Sequence, residues 1–210
     1  MKLLRDWEYT TITIEMLVSA ITKGIALPPR PILITFDDGN LDNYTDAFPI
    51  MQRYGFSAVE YVVGDYIGAP GYLNADQIKE MARAGWEVGS HGMTHPDLTK
   101  IDPQLLNYEI LDSRSYLEKE LSLPILSFSY PFGASHCGIH DKVFSAGYIA
   151  GMSLGSTPDL CKSDRFNLHR LAVKGTYDLK KFASLLPWWG DPIFLPTDTP
   201  TPAASQVPSQ

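Results

Sequence analysis

Cysteine is scarce in this chain: Cys137 and Cys161 are the only two among 210 residues. Two thiols make one bridge at most, so a disulfide-stapled fold is excluded, and whether the two pair stays open. Basic charge is in short supply as well. Lys+Arg total 17 against 24 Asp+Glu, a net charge of -7, which argues against a phosphate-backbone partner and hence against nucleic acid. No apolar run approaches the roughly 20 residues that a membrane-spanning helix requires. The first residues, Met1-Lys2-Leu3-Leu4-Arg5-Asp6, are broken by charge at once and hold no apolar signal core.

What is present is ordinary globular material, 44% hydrophobic and 20% charged, in a length that suits one domain with a self-sufficient core. The end of the chain differs. Residues 192–210 hold five prolines among Thr, Ser, Ala and Gln, with Asp198 as the only charge. Such a segment buries too little to order itself. The expected division is therefore a domain over 1–190 and a disordered Pro/Thr-rich tail or linker over 191–210. Tails of this kind point to an extracellular or cell-envelope protein, with the cytoplasm as the alternative. The first thirty residues read as one helix (about 14–22) and a partial strand, as if the domain lacked an N-terminal strand.

Between residues 12 and 187 short apolar runs alternate with amphipathic stretches. Strands are expected over 31–36, 58–63, 86–88 (running into Ser90-His91), 127–130, 148–152 and 168–173, from their β-branched and aromatic content. Residues 43–54 carry Tyr44, Phe48, Met51 and Tyr54 at helical spacing before Gly55. Asn74 with Gln77 predicts a capping box, and Asp102-Pro103 a cap followed by proline at the first turn. Strand–helix alternation implies an α/β fold with a parallel sheet and right-handed crossovers, open or closed into a barrel. Function is then expected at the C-terminal ends of the strands.

Two clusters fall at that edge. Thr35-Phe36-Asp37-Asp38-Gly39 ends the first strong strand, and adjacent carboxylates there are costly unless a cation or a proton relieves them. Successive strand residues face opposite ways, so the two aspartates are expected to do different work. His91-Gly92-Met93-Thr94-His95 follows the third strand, with two imidazoles four residues apart. Asp38, His91 and His95 together would make a two-His, one-carboxylate face with open positions for water and substrate.

These segments, with Ser129-Tyr130-Pro131-Phe132-Gly133, resemble in order and spacing the first three motifs of the polysaccharide deacetylases, the NodB-homology enzymes of carbohydrate esterase family 4. The resemblance covers roughly residues 10–186. It implies a distorted (β/α) barrel of about seven parallel strands. It also implies a divalent metal on Asp38, His91 and His95, zinc first, with cobalt or nickel as substitutes. Asp37 would be the catalytic base, the backbone N–H of Tyr130 an oxyanion donor, and Tyr130, Pro131 and Phe132 substrate contacts. The implied reaction removes N-acetyl groups from N-acetylglucosamine-containing glycans and releases acetate, consistent with metal-assisted hydrolysis.

The chain departs from that pattern in two places. Ser129 stands where the family carries an arginine that pairs with the catalytic aspartate. Arg170, in the polar pair that interrupts Leu168-His169-Arg170-Leu171, is the expected substitute. The family's late Leu-x-His triplet is also missing. His169 is the candidate general acid, although it follows Leu168 directly. Asp159 and Asp164 lie in the stretch of the family's fourth motif without its tryptophan. Among weaker candidates, His136-Cys137-Gly138-Ile139-His140 looks like a second metal site but is expected to be a loop entering a helix. Trp188-Trp189 could stack on sugar rings or pack the last helix, and Met81, Met93 and Met152 are expected to fill core. The competing functions are a small-amide or cyclic-imide hydrolase on the same scaffold, a catalytically weak carbohydrate-binding protein and, last, an iron oxygenase. Short loops favour an open groove, hence a polymer over a small molecule.

Overall fold

The structure is a computed structural model, and it describes residues 1–155 and 165–187. Asp159, Cys161, Asp164, Trp188, Trp189 and the expected tail lie outside the described residues.

The chain opens with α1 (Lys2–Asp6), a single turn unforeseen from sequence that buries Leu3 and Leu4. Strand β1 (Thr10–Thr11) follows, then α2 (Ile14–Lys23), capped by Thr13 accepting from the Met16 N–H. The apolar run expected as one strand over 31–36 is divided between β2 (Pro31–Ile32), which pairs only with β1, and β3 (Thr35–Phe36). Beyond it the chain alternates as expected. Helices α3 (Phe48–Tyr54), α4 (Ala75–Arg83), α5 (Pro103–Asn107), α6 (Ser113–Leu121) and α7 (Cys137–Ser145) connect successive strands. Those strands are β4 (Val59–Val62), β5 (Glu87–Ser90), β6 (Ser127–Ser129), β7 (Ala150–Leu154) and β8 (Leu168–Arg170), before a last turn, α8 (Leu179–Ala183). The capping box on α4 is present, Asn74 and Gln77 exchanging two bonds of 2.9 Å. Asp102 likewise accepts from the N–H groups of Gln104 and Leu105 ahead of Pro103.

Strands β3 to β8 form one parallel sheet in sequence order, six strands where the resemblance implied about seven. Two separate cores show that it curls. On its helix-covered side Val62, Val88 and Phe128 pack with Phe48, Met51, Ile78, Met81, Trp86 and Leu117. On the other side Val59 and Tyr61 of β4 meet Ala150 and Met152 of β7 and Leu168 of β8, with Ile14, Leu17 and Val18 of α2 beneath them. Strands that far apart in the order share a cluster only if the sheet bends around it. The result is a half-barrel with α2 as its plug. Between β8 and β3, which are not ladder partners, Arg170 spans the gap by donating to the Thr35 hydroxyl at 3.0 Å.

Candidate metal centre and active site

At the C-terminal edge the regular alternation stops. Asp38 has φ +74° and Gly39 φ +75°, a left-handed excursion that aspartate tolerates better than most residues. The expectation that Asp37 and Asp38 face opposite ways therefore fails. The strand has already ended, and both carboxylates turn to the same imidazole: His91 Nε2 lies 3.5 Å from Asp38 Oδ1 and 4.0 Å from Asp37 Oδ2. His95, also left-handed at φ +65°, brings its Nε2 to 3.3 Å from Asp38 Oδ1. Asp38 and His95 are two of the six non-glycine residues with left-handed backbone among the described residues.

The donor atoms of Asp38, His91 and His95 all lie within 4.8 Å of one another. Tetrahedral bonds of the length zinc makes to nitrogen and oxygen put neighbouring donors about 3.4 Å apart, so the spacing fits such an ion. The tautomer fits too. His91 Nδ1 is 2.6 Å from the Ser129 carbonyl oxygen, which can only accept, so the proton sits on Nδ1 and Nε2 is left with its lone pair. Burial lowers the His91 pKa, against the pull of the Asp37 charge. The bond from His95 lowers that of Asp38, with burial opposing. Neutral imidazole beside ionised carboxylate is the state a cation binds.

Asp37 sits beside this triad in the grip of Arg170. The guanidinium donates from Nη1 to Oδ1 at 2.7 Å and from Nη2 to Oδ2 at 2.8 Å, a two-pronged pair. It also reaches Ser129 Oγ at 2.8 Å and lies over the Tyr61 ring, 5.5 Å from its centroid. Burial alone would lower the Arg170 pKa; the bond and charge of Asp37 outweigh that and raise it. The small Ser129 side chain on β6 leaves the space that the arginine from β8 fills.

Residues 24–151 match the family model for polysaccharide deacetylases. The chain belongs to the polysaccharide deacetylase family. It is 32% identical over 177 residues to YxkH of Bacillus subtilis, a candidate polysaccharide deacetylase, covering 82% of this chain and 62% of that protein. It is 24% identical over 188 residues to the poly-beta-1,6-N-acetyl-D-glucosamine N-deacetylase of Staphylococcus aureus, covering 82% of this chain and 64% of that one. The chain thus spans just under two thirds of these curated relatives. A crystal structure of a polysaccharide deacetylase from Bacillus cereus superposes with a TM-score of 0.79 at 28% identity, covering 89% of this chain and 59% of that one.

Other expected site residues of this deacetylase-family chain fare differently. Tyr130 is not available as an oxyanion donor: its N–H is taken by the Met152 carbonyl at 3.0 Å, continuing the β6–β7 ladder. Its side chain is fully buried, its hydroxyl donating to the Phe166 carbonyl at 2.7 Å, so it is no substrate contact either. Pro131 is buried as well. Of the three, only Phe132 offers surface. It is 65% exposed, at φ +60°, with its ring 4.8 Å from that of His95. His169 is not drawn into the cluster. It neighbours Arg170 on a strand, so it faces the other way, with its ring close against Gly155. His140 pairs with Ser135 Oγ at 2.9 Å and packs on Tyr130, and joins no second ligand group among the described residues. Met81, Met93 and Met152 are buried.

Two buried carboxylates lie behind the site. They are Glu60 and Glu109. Glu60 on β4 accepts from Asn43 Nδ2 at 2.9 Å through one oxygen, while the other has no hydrogen-bond partner among the described residues. Burial raises its pKa well above the carboxylate range, the Asn43 bond offsetting part of this and the Asp37 charge adding to it. A carboxyl that holds its proton more tightly folded than unfolded loses stability for the fold as pH climbs from about 4.3 through the raised value. Glu60→Gln is neutral at every pH and should escape that loss. In thermal melts of metal-free protein above this pH, the variant should gain on the parent by up to ~1.4 kcal/mol per pH unit. A constant offset between the two would show that Glu60 is ionised in the fold.

Proposed function

We propose that this domain hydrolyses N-acetyl groups from N-acetylglucosamine-containing poly- or oligosaccharides, releasing acetate and a free amine. The observation that carries the reading is the meeting of a metal-spaced Asp38–His91–His95 triad with an arginine-clamped Asp37 at one sheet edge. Zinc suits two imidazoles and a carboxylate, and when bound it would polarise the acetamide carbonyl and acidify a water.

The chain's own groups do the rest. Asp37, oriented by Arg170, takes the proton of the attacking water. Pro131 has no N–H, so the first backbone donor past the buried strand end is that of Phe132, which replaces Tyr130 as the oxyanion donor in this reading. The exposed Phe132 ring beside His95 gives a pyranose an apolar face to lie on. With His169 turned away, the proton that Asp37 has taken is returned by Asp37 to the amide nitrogen as the C–N bond breaks. Acetylated polymers of this kind lie outside the cytoplasm, so the site of action is extracellular or at the cell envelope. Among the described residues no helix is long and apolar enough to cross a membrane.

The test is acetate release from N-acetylglucosamine oligomers by metal-stripped protein, with and without added zinc, cobalt or nickel. Release that appears only with metal is the expected result. Metal bound without release would shift the reading to a small amide or cyclic imide, or to carbohydrate binding alone. No metal bound would overturn it.

A further inference from the structure

One fully buried charged side chain has no part in the chemistry above. Glu109 lies on the widened helical turn Tyr108–Asp112 between α5 and α6 and is 0% exposed. Its Oε2 accepts from the backbone N–H of Met93 at 2.7 Å and of Thr94 at 3.0 Å, and its Oε1 from the Thr94 hydroxyl at 2.5 Å. All three bonds go to the segment joining His91 to His95. Gly92 at φ +89° presses against the same carboxylate, since a Cβ there would stand 2.7 Å from Oε2. One side chain thus bonds two of the three residues between the two imidazoles and lies close against the third. The loop it holds ends in the left-handed backbone of His95, a conformation that persists only where the surroundings impose it.

We propose that Glu109 is a positioning residue for the metal centre: through the loop it sets the angle at which His91 and His95 converge on Asp38. This rests on the metal reading above. A carboxylate is needed because three donors converge on two oxygens, and both oxygens must accept. Glutamine leaves one acceptor and turns an NH₂ against donors, so the loop is released while the packing volume is kept. Thr94→Val removes one bond and leaves the other two.

The experiment is zinc affinity by chelator competition, with the visible absorption of the cobalt-loaded protein, for the parent, Glu109→Gln, Thr94→Val and His91→Ala. Outer partners of metal ligands are typically worth 10–100-fold in affinity, so Glu109→Gln should weaken zinc binding by about that factor. It should also shift the cobalt bands, which report ligand geometry, with Thr94→Val showing a smaller change in the same direction. Glu109→Gln that lowers the melting temperature but leaves zinc affinity and cobalt bands as in the parent would overturn the proposal. If Glu109→Gln fails to fold, Thr94→Val decides alone, and an unchanged affinity and spectrum there overturns it equally. The failure of the underlying reading looks different: a parent that binds no metal, or binds it no better than His91→Ala.

Discussion

His91→Ala is expected to abolish acetate release and to weaken zinc binding by roughly 10³-fold. That factor is the loss of one ligand from three sharing a binding free energy on the order of 10 kcal/mol or more. The remaining pair, Asp38 and His95, meet at 3.3 Å but would leave an ion with two protein ligands instead of three. His91 is also the most buried of the three, and its Nδ1–H is the partner of the Ser129 carbonyl at 2.6 Å. Its removal leaves that carbonyl without this donor, a cost of about 1–3 kcal/mol. The variant should therefore melt lower even when metal-free. Chelator competition and a melting curve check both parts, and undiminished zinc affinity would mean the ion binds elsewhere.

The second large effect is expected at Asp37, and it should separate chemistry from binding. Asp37→Asn keeps the shape and part of the Arg170 contact but has no basic oxygen for the water's proton, so turnover should fall by about 10²–10⁴-fold. Asp37 is not one of the three clustered ligands, so zinc affinity should stay within a few-fold of the parent. Arg170→Ala should lower turnover as well, because among the described residues Asp37 then keeps the Ser129 hydroxyl at 3.4–3.5 Å and the His91 imidazole at 4.0 Å, both too long to orient it. Arg170→Lys restores a charge without the two-pronged geometry and should recover activity in part. Rates for the four proteins at saturating zinc test the series. An Asp37→Asn variant that loses its metal, or an Arg170→Ala variant of normal rate, would refute the assignment of roles.

Much of this was legible in the linear order of residues. The periodicity and caps placed α4 and the start of α5 where they are, and strand ends pointed to the cluster of Asp38, His91 and His95. The Leu168-His169-Arg170-Leu171 stretch showed a polar interruption in an apolar run, enough to single out Arg170. Glu109 carries a signal in the sequence: it sits among Leu106, Ile110, Ser113 and Leu117 on a largely buried helical face, where an acidic residue needs partners. Nothing in sequence tells how far a ladder continues past the last strand residue, and so nothing in it shows that the Tyr130 N–H is bonded to Met152. The Met152 carbonyl that takes its N–H is 22 residues away in sequence.

What the sequence by itself determined about this protein is the kind of chemistry: a parallel α/β fold, two imidazoles and a carboxylate at strand ends, and a second carboxylate beside them. Residue type and local spacing carry that information, because capping, alternation and ligand chemistry act within a few residues. What only the tertiary structure decided is which groups meet. Arg170 reaches Asp37 across 133 residues because the sheet curls until β8 comes within one side chain's reach of β3, and Ser129 leaves the room for it. The two aspartates face one imidazole because the backbone turns left-handed at Asp38. His169 is turned away because its neighbour faces inward. Each is a question of direction in space, set by the summed packing of the whole sheet, and no short window of residues contains it.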